Sequence, residues 1–166
     1  MEQKKQFVIA VYVDNQAGVL TRVTGMFTRR GFNIDALTVG ETESPAYSRI
    51  TITLSGDQYA REQLINQLRK LYSVKKVEVL DDDCIKRGLM LIKVKNTAQT
   101  RSDVLAAVDV YRAKVIDYTT DAMSIEITGD PSKIDAFVKL MMPFGIMEMC
   151  RTGIVALERG NNTLFN

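Results

Sequence analysis

FVIAVYVDNQAGVLTRVTGMFTRRGFN, residues 7–33, reads as strand, turn, helix and the start of a second strand. From Phe7 to Val13 both alternating sets are apolar, so this strand is expected to be buried on both faces. Asp14 to Ala17 is a polar turn. Val19, Leu20, Val23, Met26 and Phe27 then recur at helical spacing, with Arg22, Arg29 and Arg30 off that stripe. Gly18 opens the helix and Gly31 stops it. A glycine at a strand-to-helix turn allows a small ligand close to the backbone. The helix start leaves free N–H groups that suit a carboxylate.

The same order continues outward. Strands are expected at 33–40 and 47–55, a helix at 57–72 and a strand at 74–80. A second round follows: a strand from Leu89 to Lys95, a helix from Ser102 to Tyr111, and strands at Val115–Thr119 and Met123–Thr128. A helix begins near Pro131, which suits a first helical position. A last strand covers Ile146 to Ala156, with a bulge or bend at Arg151-Thr152-Gly153. ITLSGDQYAREQLINQL from Ile52 aligns without gaps on IEITGDPSKIDAFVKLM from Ile125. Each half therefore reads βαββαβ, so the fold class is α+β: two ferredoxin-like sandwiches in tandem, each of roughly 75 residues.

The expected boundaries are 1–80 for the first domain, 81–87 for an acidic linker, 88–160 for the second domain and 161–166 for a frayed tail. The first half carries an extra loop, GETESPAY (Gly40 to Tyr47), that the second half lacks. Met141, Met142, Met147 and Met149 are read as adaptable core filling, with a partner surface as the alternative for some of them.

Composition narrows the function. The chain has 166 residues, a net charge of +2 and no histidine. That charge argues against nucleic acid or an acidic membrane surface as partner. Without histidine the usual general base and the commonest metal ligand are missing. Cys84 and Cys150 make no metal spacing and no disulfide framework, and read as reduced thiols of a cytoplasmic protein. The apolar run after Lys4-Lys5 ends at Asp14 with no cleavage pattern, and no segment approaches the ~20 apolar residues of a membrane span. Local sequence alone leaves Asp14 to Gly18 open between a turn with an Asx cap and a ligand loop.

DNQAGVLTRVTGMFTRRGFNIDALTVGETESPAYSRITI resembles the N-terminal ACT domain of the small, regulatory subunit of acetolactate (acetohydroxyacid) synthase. The G-V-L helix start, RRGFNI, ALTVG (Ala36 to Gly40) and Ser48-Arg49 carry the likeness. KVIDYTTDAMSIEITGDPSKIDAFVKLM and then RTGIVALERG resemble that subunit's C-terminal domain.

The resemblance implies a non-catalytic chain that activates a catalytic subunit in branched-chain amino-acid biosynthesis and confers feedback inhibition by valine. It implies a homodimer through side-by-side ACT domains, with valine between them. The effector residues carried over are Asn15, Ala17, Gly18, Val19 and Leu20 from one chain, with Asn33 and Ile34 from its partner. No cofactor is expected on this chain: thiamine diphosphate, Mg and FAD belong to the catalytic partner.

The same fold hosts RNA-binding modules and small phosphatases. The strand SRITITL lacks the aromatics of the first, and Asp14-Asn15 replaces the basic loop of the second. The remaining rival is a free-standing ACT-type regulator of a different enzyme.

Overall fold

The computed structural model describes residues 5–165. They fall into two compact units. One runs up to Ile85 and resumes at Gly153; the other is Lys86–Thr152.

The first unit contains β1 (Lys5–Asp14), α1 (Val19–Arg29), β2 (Ile34–Glu41), β3 (Tyr47–Gly56), α2 (Gln58–Leu68) and β4 (Val74–Val79). Its strands form an antiparallel sheet in the order β2-β3-β1-β4. The β1–β3 register pairs Ile9 with Ile52 and Val11 with Ile50. That register places Phe7, Ile9, Val11, Val13, Ile50, Ile52 and Leu54 in one core with Val19, Val23, Phe27, Leu64 and Leu68 from the helices. Removing a ring such as Phe27 from this core is expected to cost about 3–5 kcal/mol. As expected, β1 is buried on both faces: Val8, Ala10 and Tyr12 sit in a second cluster on the sheet's other side.

The second unit repeats the plan with β5 (Ile85–Lys95), α3 (Arg101–Val110), β6 (Lys114–Tyr118), β7 (Ala122–Gly129), α4 (Pro131–Met141) and β8 (Ile146–Arg151). Its strand order, β6-β7-β5-β8, is the first unit's order one repeat later. Both units are thus ferredoxin-like α+β sandwiches. Met90, Ile92, Val94, Val104, Met123, Ile125, Ile134 and Phe137 fill the second core. Of the four methionines read as core filling, Met141 is fully buried, whereas Met142, Met147 and Met149 are more than half exposed.

The C-terminal segment departs from expectation. The last strand is two strands, β8 and β9 (Val155–Leu157). A Cβ at Gly153 would lie 2.5 Å from Thr38 Oγ1 and 2.8 Å from the Leu37 carbonyl oxygen. A glycine there lets the backbone press onto β2, and the strand breaks. Residues 153–165 therefore count with the first unit, not with 88–152. Nor are residues 161–165 a frayed tail. Leu164 is 5% exposed and shares the cluster of Val8, Ala10 and Tyr12 with Leu80, Cys84 and Ala156.

The acidic run at 81–83 is likewise a fastened turn. Asp81 N donates to Glu158 Oε1 at 2.8 Å, and Arg159 Nε donates to the Asp83 carbonyl at 2.6 Å. β5 begins inside the expected linker, at Ile85. Cys84 is buried and Cys150 is exposed, and neither is joined in a disulfide among the described residues. No helix among the described residues is long and apolar enough to cross a membrane.

Candidate functional site

The candidate site is the turn between β1 and α1. Gly18 has φ +81° and ψ −7°, the left-handed region. L side chains pay a conformational penalty there, of roughly 1–2 kcal/mol. A Cβ at Gly18 would meet nothing within 4 Å, so conformation and not crowding calls for glycine, and the space beside the turn is open.

The helix that follows has an unusual start. No side chain caps α1, and its first turn holds no acidic residue. The other three helices each carry a side-chain cap or a first-turn acid. Asp57 accepts from Ala60 N at 2.7 Å at the start of α2, and Asp130 accepts from Lys133 N at 3.0 Å at the start of α4. At α3, Thr97 Oγ1 accepts from Thr100 N at 3.2 Å, and Asp103 lies in the first turn. Helix starts carry roughly half a positive charge. Among the described α-helices, α1 alone has neither a first-turn acid nor a side chain bonded at its start, although Val19 N donates to the Gln16 carbonyl at 3.3 Å. Asp14, at the entry to the turn, is held by Lys75 Nζ at 3.0 Å, which balances its charge beside the open helix start. That bond also raises the Lys75 pKa.

Asn15 is occupied. Its backbone N–H donates to the Ala46 carbonyl at 2.8 Å. Its Nδ2 donates to Glu41 Oε1 and to the Pro45 carbonyl, each at 3.0 Å, and its Oδ1 accepts from Ser48 Oγ at 3.1 Å. The side chain thus stitches the β1–α1 turn to the 41–48 segment. Ala17 is exposed at the turn. The Val19 side chain is buried in the core, so Val19 offers only backbone to the open side. Leu20, 38% exposed, is the apolar side chain that the start of α1 presents.

Asn33 is exposed and Ile34 half-buried against the core edge. Within one chain they lie beyond the far end of α1, whose 11 residues span about 16 Å. One chain therefore does not bring the two groups of expected residues together. Ile34 begins β2, which is an edge of its sheet, and Asn33 directly precedes it. Sequence reading alone does not join Glu41, Pro45 and Ser48 to the turn. Their signal in the sequence was the extra loop of the first half, whose backbone folds onto Asn15. Among the described residues, no group of three or more His, Cys, Asp or Glu is placed to hold a metal ion.

Residues 9–78 match the family described as the acetohydroxyacid synthase small subunit-like ACT domain. Residues 87–160 match the family described as the small subunit of acetolactate synthase. A probable acetolactate synthase small subunit from Archaeoglobus fulgidus is 46% identical over 92% of this chain and 96% of its own length. The acetolactate synthase small subunit of Mycobacterium leprae is 46% identical over 92% and 90%. The crystal structure of the acetolactate synthase small subunit from Thermotoga maritima superposes with a TM-score of 0.88, at 38% identity, covering 95% of this chain and 99% of that one.

Proposed function

Because the chain belongs to the acetolactate synthase small-subunit family, with an ACT domain as its first unit, we propose that it is a non-catalytic regulator. It activates a cytoplasmic catalytic subunit of branched-chain amino-acid biosynthesis and makes that subunit sensitive to valine. Thiamine diphosphate, Mg and FAD are assigned to the catalytic partner.

The observation that carries this reading is the start of α1: uncapped, opened by a left-handed Gly18, and next to open space. A valine carboxylate suits the N–H groups there. Asn15 holds the turn in place, while Ala17 and Leu20 flank it. The pocket is completed by a second copy. Two β2 edges paired antiparallel across a two-fold axis bring the start of one β2 toward the end of the other. Asn33 and Ile34 of the second copy then approach the first copy's turn, and Ile34 offers apolar surface to the isopropyl group. Valine bound between two copies favours one packing of the pair over another, which makes the interface a two-state element. A coupling of roughly 1–3 kcal/mol changes activity several-fold to about a hundredfold.

Reconstitution tests the proposal. Acetolactate formation by a catalytic subunit is measured alone, with the chain, and with the chain plus L-valine. The chain is expected to raise the rate and valine to remove the gain. No increase with the chain would refute the activator role. An increase that valine leaves untouched would refute the sensor role.

A further inference from the structure

We propose that Phe165 is a positioning residue for the effector turn: through Tyr12 and Tyr47 it steadies the 41–48 segment that holds Asn15. The inference deepens the amino-acid site proposed above and rests on it.

The contacts form a continuous path inside the first unit. Phe165 meets Tyr12 edge-on, with ring centroids 4.8 Å apart and planes at 84°. Tyr12 stacks on Tyr47 at 4.9 Å and 29°. Aromatic pairs at these separations attract beyond their simple area burial. Tyr47 in turn closes the loop before it. Its N–H donates to the Ser44 carbonyl at 3.0 Å, and its own carbonyl accepts from Thr42 N at 3.1 Å and Thr42 Oγ1 at 3.3 Å. That loop presents the Pro45 and Ala46 carbonyls, and Ser48 follows Tyr47 directly. These three residues supply most of the bonds that fix Asn15.

The C-terminal segment is anchored well enough to hold a ring there. Arg49 Nη2 donates to the Ala156 carbonyl at 2.7 Å. Leu164 is buried beside Tyr12 in the outer cluster. Phe165 itself is 58% exposed, so its ring contributes little core and its contact with Tyr12 is the main thing lost on truncation. A residue about 150 positions from Asn15 in sequence thus reaches it through two rings and one loop.

The test uses the full chain and L-valine, titrated by calorimetry into wild type, Phe165→Ala, Phe165→Leu and Phe165→Tyr, with a thermal melt of each. Phe165→Ala is expected to weaken valine binding roughly two- to tenfold. Phe165→Leu, which keeps apolar cover without a ring, should weaken it in the same direction, and Phe165→Tyr should restore wild-type affinity. A Phe165→Ala protein with wild-type valine affinity overturns the proposal, whatever its melting temperature. If that variant does not fold, unchanged affinity in Phe165→Leu overturns it equally. A wild-type chain that binds no valine overturns the site itself and the positioning role with it, so the two failures are told apart.

Discussion

Asn15 and Asn96 hold the same place in the two units, yet the turns they anchor are different objects. Each follows the first strand of its unit, and each ties that strand's exit to the hairpin between the second and third strands. Asn96 is buried; its Nδ2 donates to the Thr119 carbonyl at 2.5 Å, and its backbone N–H donates to the Asp121 carbonyl at 2.9 Å. Its Oδ1 accepts from Arg101 Nε at 2.9 Å, and the Arg101 guanidinium lies 5.9 Å from the Tyr118 ring centre. The second unit thus fills its own turn with an arginine, two threonines and an acidic first turn. Asn15 makes the same kind of tie, but Gly18 leaves the helix start beside it open. One fold, used twice, keeps a closed turn and an open one, and the difference lies in the residues that follow the first strand.

Closing the open turn is the most direct way to break this contrast. Gly18→Asp is expected to weaken valine binding by at least about tenfold. Its carboxylate lies where the ligand's would, and caps the same N–H groups. Activation of the catalytic subunit should survive, because the left-handed cost to Asp is small beside the stability of a domain. Loss of activation together with valine binding would make Gly18 a structural glycine only.

The two asparagines can then be set against each other. Asn96→Ala should cost the second unit about 2–3 kcal/mol in chemical denaturation, since buried partners lose their bonds, and should leave valine affinity alone. Asn15→Ala should cost less stability, about 1–2 kcal/mol, but lower valine affinity. Equal effects of both on valine would erase the distinction. Asn33→Ala should weaken valine inhibition in the same direction as Gly18→Asp, by a smaller factor. Unchanged inhibition would remove Asn33 from the site.

The smallest effect belongs to the capped helix α4. The Asp130 carboxyl lies below its ordinary pKa, chiefly because the Ser132 hydroxyl and then the Lys133 N–H bond the charged form. A depressed folded-state pKa adds stability above the unfolded value near 3.9. That stability is lost as pH falls through the lower folded value. Thermal melts should therefore show Asp130→Asn converging on wild type only in strong acid, with valine affinity unmoved.

Much of this was legible in the chain. The apolar periods of Phe7–Val13 and Val19–Phe27, and the aligned Gly56-Asp57 and Gly129-Asp130 turns, are local signals that tertiary packing did not override. Both aspartates cap the helices they precede. The C-terminal segment was not legible. Leu164 and Phe165 are two adjacent apolar residues closing a polar stretch, too few to set a period that would betray a buried face. The burial of Ala156 and Leu164 depends on a sheet face more than 140 residues earlier, at Val8 to Tyr12, and on Gly153 lying against β2. In the site, Asp14 to Gly18 forms a turn without the Asx cap that one reading of it expected, since no side chain caps α1. Asn15 is spent on the loop, and Gly18 is left open. Sequence shows the residue types but not where an amide's bonds go.

The central claim is that the first unit's turn receives an amino acid. Thermal stability of the purified chain with and without L-valine tests it most directly, with Gly18→Asp beside it. At ~100 times its dissociation constant, a ligand adds about 2.7 kcal/mol to the folded state. The account predicts a clear upward shift in Tm with valine that Gly18→Asp abolishes. An equal shift in both proteins would place the ligand elsewhere and contradict it.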